Sequence, residues 1–285
     1  MNRAGRIAVQ AGRTLLLLLC TALGTILLVR FAPGYFSDAR EMDVKYAGLA
    51  RTEMQAEGDR SRWVNRILLD EAKSWLRGDF GESRQYRVPV AELMEARVRV
   101  SAMLLAKSIL LGWLLALSAA LPIASLRRGG LLCSLPFTIL LAIPTAAMAT
   151  ACILSETGGP VLVLSLLVGA RDFKFLRSLL QDAWRSPHLL QARAQGLPTR
   201  ALVLSHILPN AAPQLYALAT LSIVTALGAL VPVEVIFTVP GIGQLGWSAV
   251  MNRDLPVLVA VSILMACVVS VAGLFTARSL TSEAV

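Results

Sequence analysis

Charge is scarce in this 285-residue chain: 16% of its residues are Asp, Glu, Lys or Arg, against about 25% in soluble globular proteins. Hydrophobic residues make up 56%, and they gather in long runs. That combination argues against a soluble globular domain and for an integral membrane protein. Histidine is limited to His188 and His206, which are not at metal-ligand spacing. The four cysteines, Cys20, Cys133, Cys152 and Cys267, each lie within an apolar run, and no C-x-x-C occurs. Neither a metal site nor a disulfide framework is expected, and the cysteines read as small buried hydrophobes. The sequence also lacks the G-x-x-x-x-G-K-[ST] phosphate loop, so it has no visible means of binding ATP itself. Asp79 and Glu82 fall in a turn without a paired base or nucleophile, and no catalytic constellation is seen. The chain is not expected to be an enzyme or to need a cofactor.

What is present is a set of apolar stretches near the length of about 20 residues that a spanning helix needs. Six are predicted, near 14–31, 102–125, 131–155, 159–176, 214–233 and 256–277. The fourth is the weakest, because Arg171, Asp172 and Lys174 cut it short; it is expected to leave the bilayer and continue as a helix. The first, preceded by Arg3, Arg6 and Arg13, reads as an uncleaved anchor, with a signal peptide ending near "TALGT" as the alternative.

The net charge of +9 admits two explanations, nucleic-acid binding or charge gathered in cytoplasmic loops. Its distribution decides. With the N-terminus inside, the inner segments carry Arg3, Arg6, Arg13, Arg127, Arg128, Arg171, Lys174, Arg177, Arg185, Arg193, Arg200 and Arg278, against Asp172, Asp182 and Glu283. This is the positive-inside pattern, and no nucleic-acid partner is required. The expectation is an all-α integral membrane protein with six transmembrane helices and both termini cytoplasmic. A cytoplasmic tail (1–13) leads to the first span (14–31), an extracytoplasmic helical cap (32–101) and a five-helix core (102–277). The core includes a cytoplasmic loop (177–210), and a second short tail (278–285) follows.

Within the outer cap, Trp63, Ile67, Ala72, Trp75 and Leu76 approximate one helical face. "RGDFGES" reads as a turn; its Arg-Gly-Asp is a chance tripeptide rather than an adhesion signal. Pro89 fits the first turn of a new helix with Val90, Leu93, Met94 and Val98 on one side, leading into the second span. Lys107 lies within an apolar run, where an ion is a functional candidate. Two readings stand for it: lining a pathway, or snorkelling to the outer interface.

The stretch "LLQARAQGLPTRALVLSHILPNAAP" (189–213) is too shaped for a simple connector. Ser186 and Pro187 suit a helix start, and Gly196 ends that short helix. Pro198 begins a second, in which Leu202, Val203 and Ile207 supply apolar contacts. Pro209 and Asn210 are expected to interrupt it before the fifth span. Such an elbow suits a groove on a soluble partner, or else rests on lipid headgroups.

"QARAQG" followed by "ILPNAAP" resembles the EAA loop of ABC-transporter permeases of the binding-protein-dependent type. Ala192-Arg193-Ala194-Gln195-Gly196 is similar to the form of the dipeptide/oligopeptide/nickel branch. Leu190, Gln191 and His206 depart from the motif. "WLRGDFGES" (75–83), "RSLLQDAWRSPHLLQARAQGL" (177–197) and "VEVIFTVPGIGQLGWSAVMNRDLPV" (233–257) resemble that branch in order, so the likeness covers most of the chain. It departs at the C-terminus, "FTARSLTSEAV".

The resemblance implies a permease subunit in a bacterial inner membrane, forming part of a translocation pathway, with peptide import as the branch's usual activity. Its implied partners are a second permease subunit, two cytoplasmic P-loop ATPase subunits and an extracytoplasmic substrate-binding protein, in a setting of membrane lipid. It also implies an ATPase-coupling loop at Gln191, Ala192, Arg193, Ala194, Gly196, Leu208 and Pro209. Pathway or gate candidates are Lys107, Glu234, Pro240, Gly241 and Gly243; Glu234 reads equally as a satisfied structural carboxylate. Competing classes are a membrane scaffold or sensor recruiting a soluble regulator, a membrane enzyme using the charged cap, and a permease for nickel or another small solute.

Overall fold

The computed structural model describes residues 79–124, 130–184, 202–252 and 254–282, with a few single positions before residue 79. Among the described residues, seven α-helices are delimited: α1 (Val90–Ala124), α2 (Gly130–Ala142), α3 (Thr145–Leu154), α4 (Pro160–Trp184), α5 (Leu208–Ile236), α6 (Ile242–Met251) and α7 (Leu255–Ser282). A π-helical turn, Val203–Ile207, leads into α5. Among the described residues no strand forms; an isolated bridge pairs Glu82 with Pro89. Helices satisfy their own backbone polar groups, which a bilayer demands because it offers no water to do so. Most of the predicted first span and of the outer cap, and the predicted coupling helix ending at Gly196, lie outside the described residues.

Among the described residues, three helical stretches are long and apolar enough to cross a membrane: Val90–Pro122, Leu208–Ile236 and Leu255–Leu274. They correspond to the predicted second, fifth and sixth spans. The second begins earlier than expected, because the helix opening after Pro89 and the span are one unbroken element of 35 residues. Of the residues expected on one side of it, Val90 and Met94 are buried and Leu93 and Val98 half-buried.

The predicted third span is not one helix. Its residues form α2 and α3, bent by 96° at the Ile143–Pro144 break. Pro144 adopts an extended ψ of 137°, and its ring and missing N–H cannot continue the helix from Leu140. Together α2 and α3 are apolar enough for a broken span or a re-entrant loop. The fourth predicted span does continue as a helix, to Trp184, but α4 is not among the three crossing stretches.

The described contacts divide into two units. The larger joins Arg97–Gln244 with Cys267–Val285. In it α4 packs against α2, α3 and α5, and α5 also packs against α3. In lipid, helix association rests on close packing and interhelical hydrogen bonds, because lipid tails are as apolar as the helices. Ser108, Gly112, Ala116 and Ala120 recur every fourth residue on α1 and are all buried. Gly112 faces Ser165 and Gly169 of α4: a Cβ on Gly112 would lie 3.0 Å from the Ser165 carbonyl oxygen. Ala116 and Ala120 then join Phe173, Leu176, Leu180, Leu202, Ile207 and Leu218 in one buried cluster. Phe137 of α2 stacks on Phe173 with ring centroids 3.8 Å apart.

The smaller unit joins Met1–Ala96 with Leu245–Ala266. Its described part holds a clip before α1. The Ser83 and Val90 amides donate to the Val88 and Gly81 carbonyls, both at 3.0 Å. The Gly81 amide donates to Asp79 Oδ1 at 3.0 Å, a turn within the described part of "RGDFGES". Asp254, just before α7, is fully buried. Its Oδ2 accepts from Ser83 Oγ at 2.5 Å and from the Gln85 amide at 3.2 Å.

Candidate functional site

Of the predicted coupling residues, Gln191, Ala192, Arg193, Ala194 and Gly196 lie outside the described residues. The helices on either side of them are described. Leu176 and Leu180, late in α4, share a buried cluster with Leu202 and Ile207, which lead into α5. The expected apolar contacts of Leu202, Val203 and Ile207 are therefore present. Both ends of the elbow are rooted in the same core.

Leu208 and Pro209 open α5 and are exposed. The expected break at Pro209–Asn210 is instead a change of helical pitch. Leu202, Ile207 and Leu208 all keep helical dihedrals, and the five residues Val203–Ile207 form a π turn. Proline brings no N–H and clashes with the carbonyl four residues back. The wider hydrogen-bond spacing of a π turn absorbs that mismatch without ending the helix.

At the other end of α5 stands Glu234, fully buried. One oxygen of its carboxylate accepts from the Gly243 amide at 2.7 Å and the Gln244 amide at 3.1 Å. Its other oxygen accepts from Ser101 Oγ of α1 at 2.5 Å. Ser101 Oγ in turn accepts from the Ile242 amide at 2.8 Å. Three amides at the start of α6 are thus satisfied, two by a carboxylate, whose charge suits a helix N-terminus. Charge-assisted bonds of this kind are the stronger class, and the Arg97 guanidinium acts electrostatically on the same carboxylate.

The predicted gate residues Glu234, Gly241 and Gly243 are therefore brought together, with Pro240 exposed beside them. The glycines are required by space rather than by a left-handed backbone. Neither takes a positive φ; Thr238 does, at 53°. A Cβ on Gly241 would collide with the Glu234 carboxylate, and one on Gly243 would lie 2.9 Å from Val231 Cα and 3.0 Å from Glu234 Oε2. The glycines leave room for the carboxylate.

Lys107 is on another part of α1 and does not join this group. It is exposed, on a helix whose outward residues include Met103, Leu110 and Leu114.

A second buried polar group was missed by the sequence reading, which counted Arg171 and Asp172 as cytoplasmic loop charges. Asp172 is fully buried within α4. Its Oδ2 accepts from Ser222 Oγ of α5 at 2.7 Å, and Ser222 Oγ accepts from Trp113 Nε1 of α1 at 3.1 Å. Its Oδ1 is buried without a hydrogen-bond partner. The Arg171 guanidinium donates to the Thr225 hydroxyl of α5. The sequence signal was there: two charges inside an apolar run, with polar Ser222 and Thr225 three apart on a later apolar run. One residue of each sign leaves the charge tally, so the inner excess of positive charge is unchanged.

Long apolar helices, leucines on their outward faces, and polar side chains tied in interhelical bonds define a helical integral membrane protein. Residues 108–281 match the family described as "Binding-protein-dependent transport system inner membrane component", and the chain belongs to that family. It is 28% identical over 247 residues to the metal-staphylopine import system permease protein CntB of Staphylococcus aureus, covering 75% of this chain and 76% of that one. To the oligopeptide transport system permease protein AppB of Bacillus subtilis it is 28% identical over 263 residues, covering 77% and 82%. To OppB of Escherichia coli, another oligopeptide permease protein, it is 27% identical over 267 residues, covering 84% of each. The chain is a multi-pass permease subunit of an ABC transporter in the inner membrane.

Proposed function

We propose that this permease forms one half of a peptide-import pathway, paired with a second permease subunit. Two cytoplasmic P-loop ATPases drive it and an extracytoplasmic binding protein supplies it. The similarity to AppB and OppB along most of their length supports peptide as the substrate class. The similarity to CntB keeps a metal chelate as the second reading. In this reading the chain has six spans and both termini in the cytoplasm, and the region around Ala192, Arg193, Ala194 and Gly196 sits in a cleft of an ATPase.

One observation carries the coupling role: Leu176 and Leu180 before the elbow, and Leu202 and Ile207 after it, are buried in one cluster. A segment rooted at both ends in one core passes a push to both attached helices rather than absorbing it. The ATPase then needs different contacts with the elbow in its open and closed states, since only differential interaction shifts an equilibrium.

Gly196→Trp tests this. The variant is expected to insert in the membrane at the normal level while losing ATP-driven uptake in reconstituted vesicles. Unchanged uptake and unchanged ATPase assembly would remove the assignment. Ligand recovered with the copurified binding protein separates peptide from metal chelate.

A further inference from the structure

We propose that Glu234 is a positioning residue of the transport cycle: its buried carboxylate fixes the start of α6 to the far end of α5, so that movement entering α5 at Leu208–Pro209 is delivered to α6. This rests on the reading that the Gly196 elbow receives the ATPase stroke.

α5 is unbroken from Leu208 to Ile236, a reach of about 42 Å at 1.5 Å per residue. Its near end carries the Leu-Pro of the coupling segment. About midway, Ser222 is hydrogen-bonded to Asp172 of α4 and lies against the Trp113 N–H of α1. Its far end carries Glu234. Without the carboxylate, α5 and α6 would be joined by the turn Phe237–Gly241, held through backbone bonds such as Val239 N–H to the Glu234 carbonyl. Such a turn flexes about its dihedrals and passes little displacement.

The carboxylate changes that connection. It takes the Gly243 and Gln244 amides on one oxygen and Ser101 Oγ on the other, and Ser101 Oγ takes the Ile242 amide. The result is a closed ring of hydrogen bonds joining α5, α6 and α1. The glycines at 241 and 243 leave no side chain in the carboxylate's place, so the ring is built for an acid at this position. A glutamine there has the same shape but no charge: its oxygen can still take the Gly243 and Gln244 amides while its NH2 donates to Ser101 Oγ, which leaves the Ser101 hydroxyl without its acceptor. Glu234→Gln therefore weakens the ring with no loss of volume, and Glu234→Ala removes it.

The test uses the full complex of permeases, ATPases and binding protein in vesicles, with Trp247→Cys as a reporter on α6, where the native side chain is exposed, and the native cysteines replaced by serine. The reporter's labelling rate by a soluble maleimide is measured with and without a non-hydrolysable ATP analogue. The analogue is expected to change that rate by about tenfold, the usual scale of coupling between sites. Glu234→Ala is expected to abolish the change in complexes that still assemble, Glu234→Gln and Ser101→Ala to reduce it, and Ser101→Thr to keep it. If Glu234→Ala prevents assembly, Glu234→Gln and Ser101→Ala carry the test.

A residue that only stabilises the fold would leave the analogue response intact in every assembled complex, and that result overturns the proposal. So does a reporter indifferent to the analogue in the otherwise native complex. Gly196→Trp separates the two layers. If it silences the reporter while the Glu234 and Ser101 variants do not, the clamp is wrong and the coupling elbow stands. If it leaves the response intact, the elbow reading is wrong, whatever Glu234 does.

Discussion

Gly112 of α1 and Gly169 of α4 meet backbone to backbone: a Cβ on Gly169 would lie 3.0 Å from the Gly112 carbonyl oxygen, and one on Gly112 would lie 3.2 Å from the Gly169 nitrogen. Neither contact can be relieved by turning a side chain, because both partners are main chain. Gly112→Val is therefore expected to force the helices apart and destabilise the folded protein by about 1–3 kcal/mol. Thermal unfolding in detergent should fall accordingly, with Gly112→Ala intermediate. An unchanged melting temperature for the valine variant would show that the crossing is not tightly packed.

Asp254 holds the clip before α1 by accepting from Ser83 Oγ and the Gln85 amide. Asp254→Ala strands the buried Ser83 hydroxyl, at a cost of about 1–3 kcal/mol. Local opening is the expected result, seen as faster protease cleavage at the exposed residues 84–87. Asp254→Asn keeps an acceptor and should cleave at an intermediate rate. Equal cleavage in all three proteins would mean that the carboxylate does not secure the clip.

Trp113 and Ser222 are bonded side chain to side chain between α1 and α5. Interhelical bonds in membranes contribute about 0.6–2 kcal/mol. A double-mutant cycle with Trp113→Phe and Ser222→Ala should return a coupling energy of about 1 kcal/mol. Additivity within about 0.3 kcal/mol would mean that the bond adds nothing net.

Much of this architecture was legible in the sequence. The runs around 102–125, 214–233 and 256–277 are helices of membrane-crossing length because they are long and apolar, with Lys107 the one charge among them. The turn at 79–81 and the helix start after Pro89 were readable because they depend on local chemistry: an Asp side chain folding back to an amide, and a proline with φ already set. The bend at Pro144 was missed. Proline is found both inside helices, as Pro213 and Pro232 are in α5, and at their breaks, and its local sequence does not say which.

The buried polar groups were the least legible. Arg171 and Asp172 read as charges that end a span, because a charge in an apolar run looks the same whether it faces headgroups or a neighbouring helix. Their partners Thr225 and Ser222 are about 50 residues away, and only packing brings them together. Glu234 was picked out, but its role stayed open between a vestibule lining and a satisfied carboxylate.

By itself, the sequence determined that the chain is a helical membrane protein with an asymmetric charge distribution, because apolar length and the location of arginines act locally against the bilayer. It also carried the ordered motifs that point to the permease family. Only the tertiary structure decided why Gly241 and Gly243 are glycines, and that Ser101 belongs with Glu234. It also showed that α1, α4 and α5 are tied at Trp113, Asp172 and Ser222. Each of these depends on which helix faces which. That is set by the packing of small residues in three dimensions, since in lipid no difference in apolarity between helix faces dictates it.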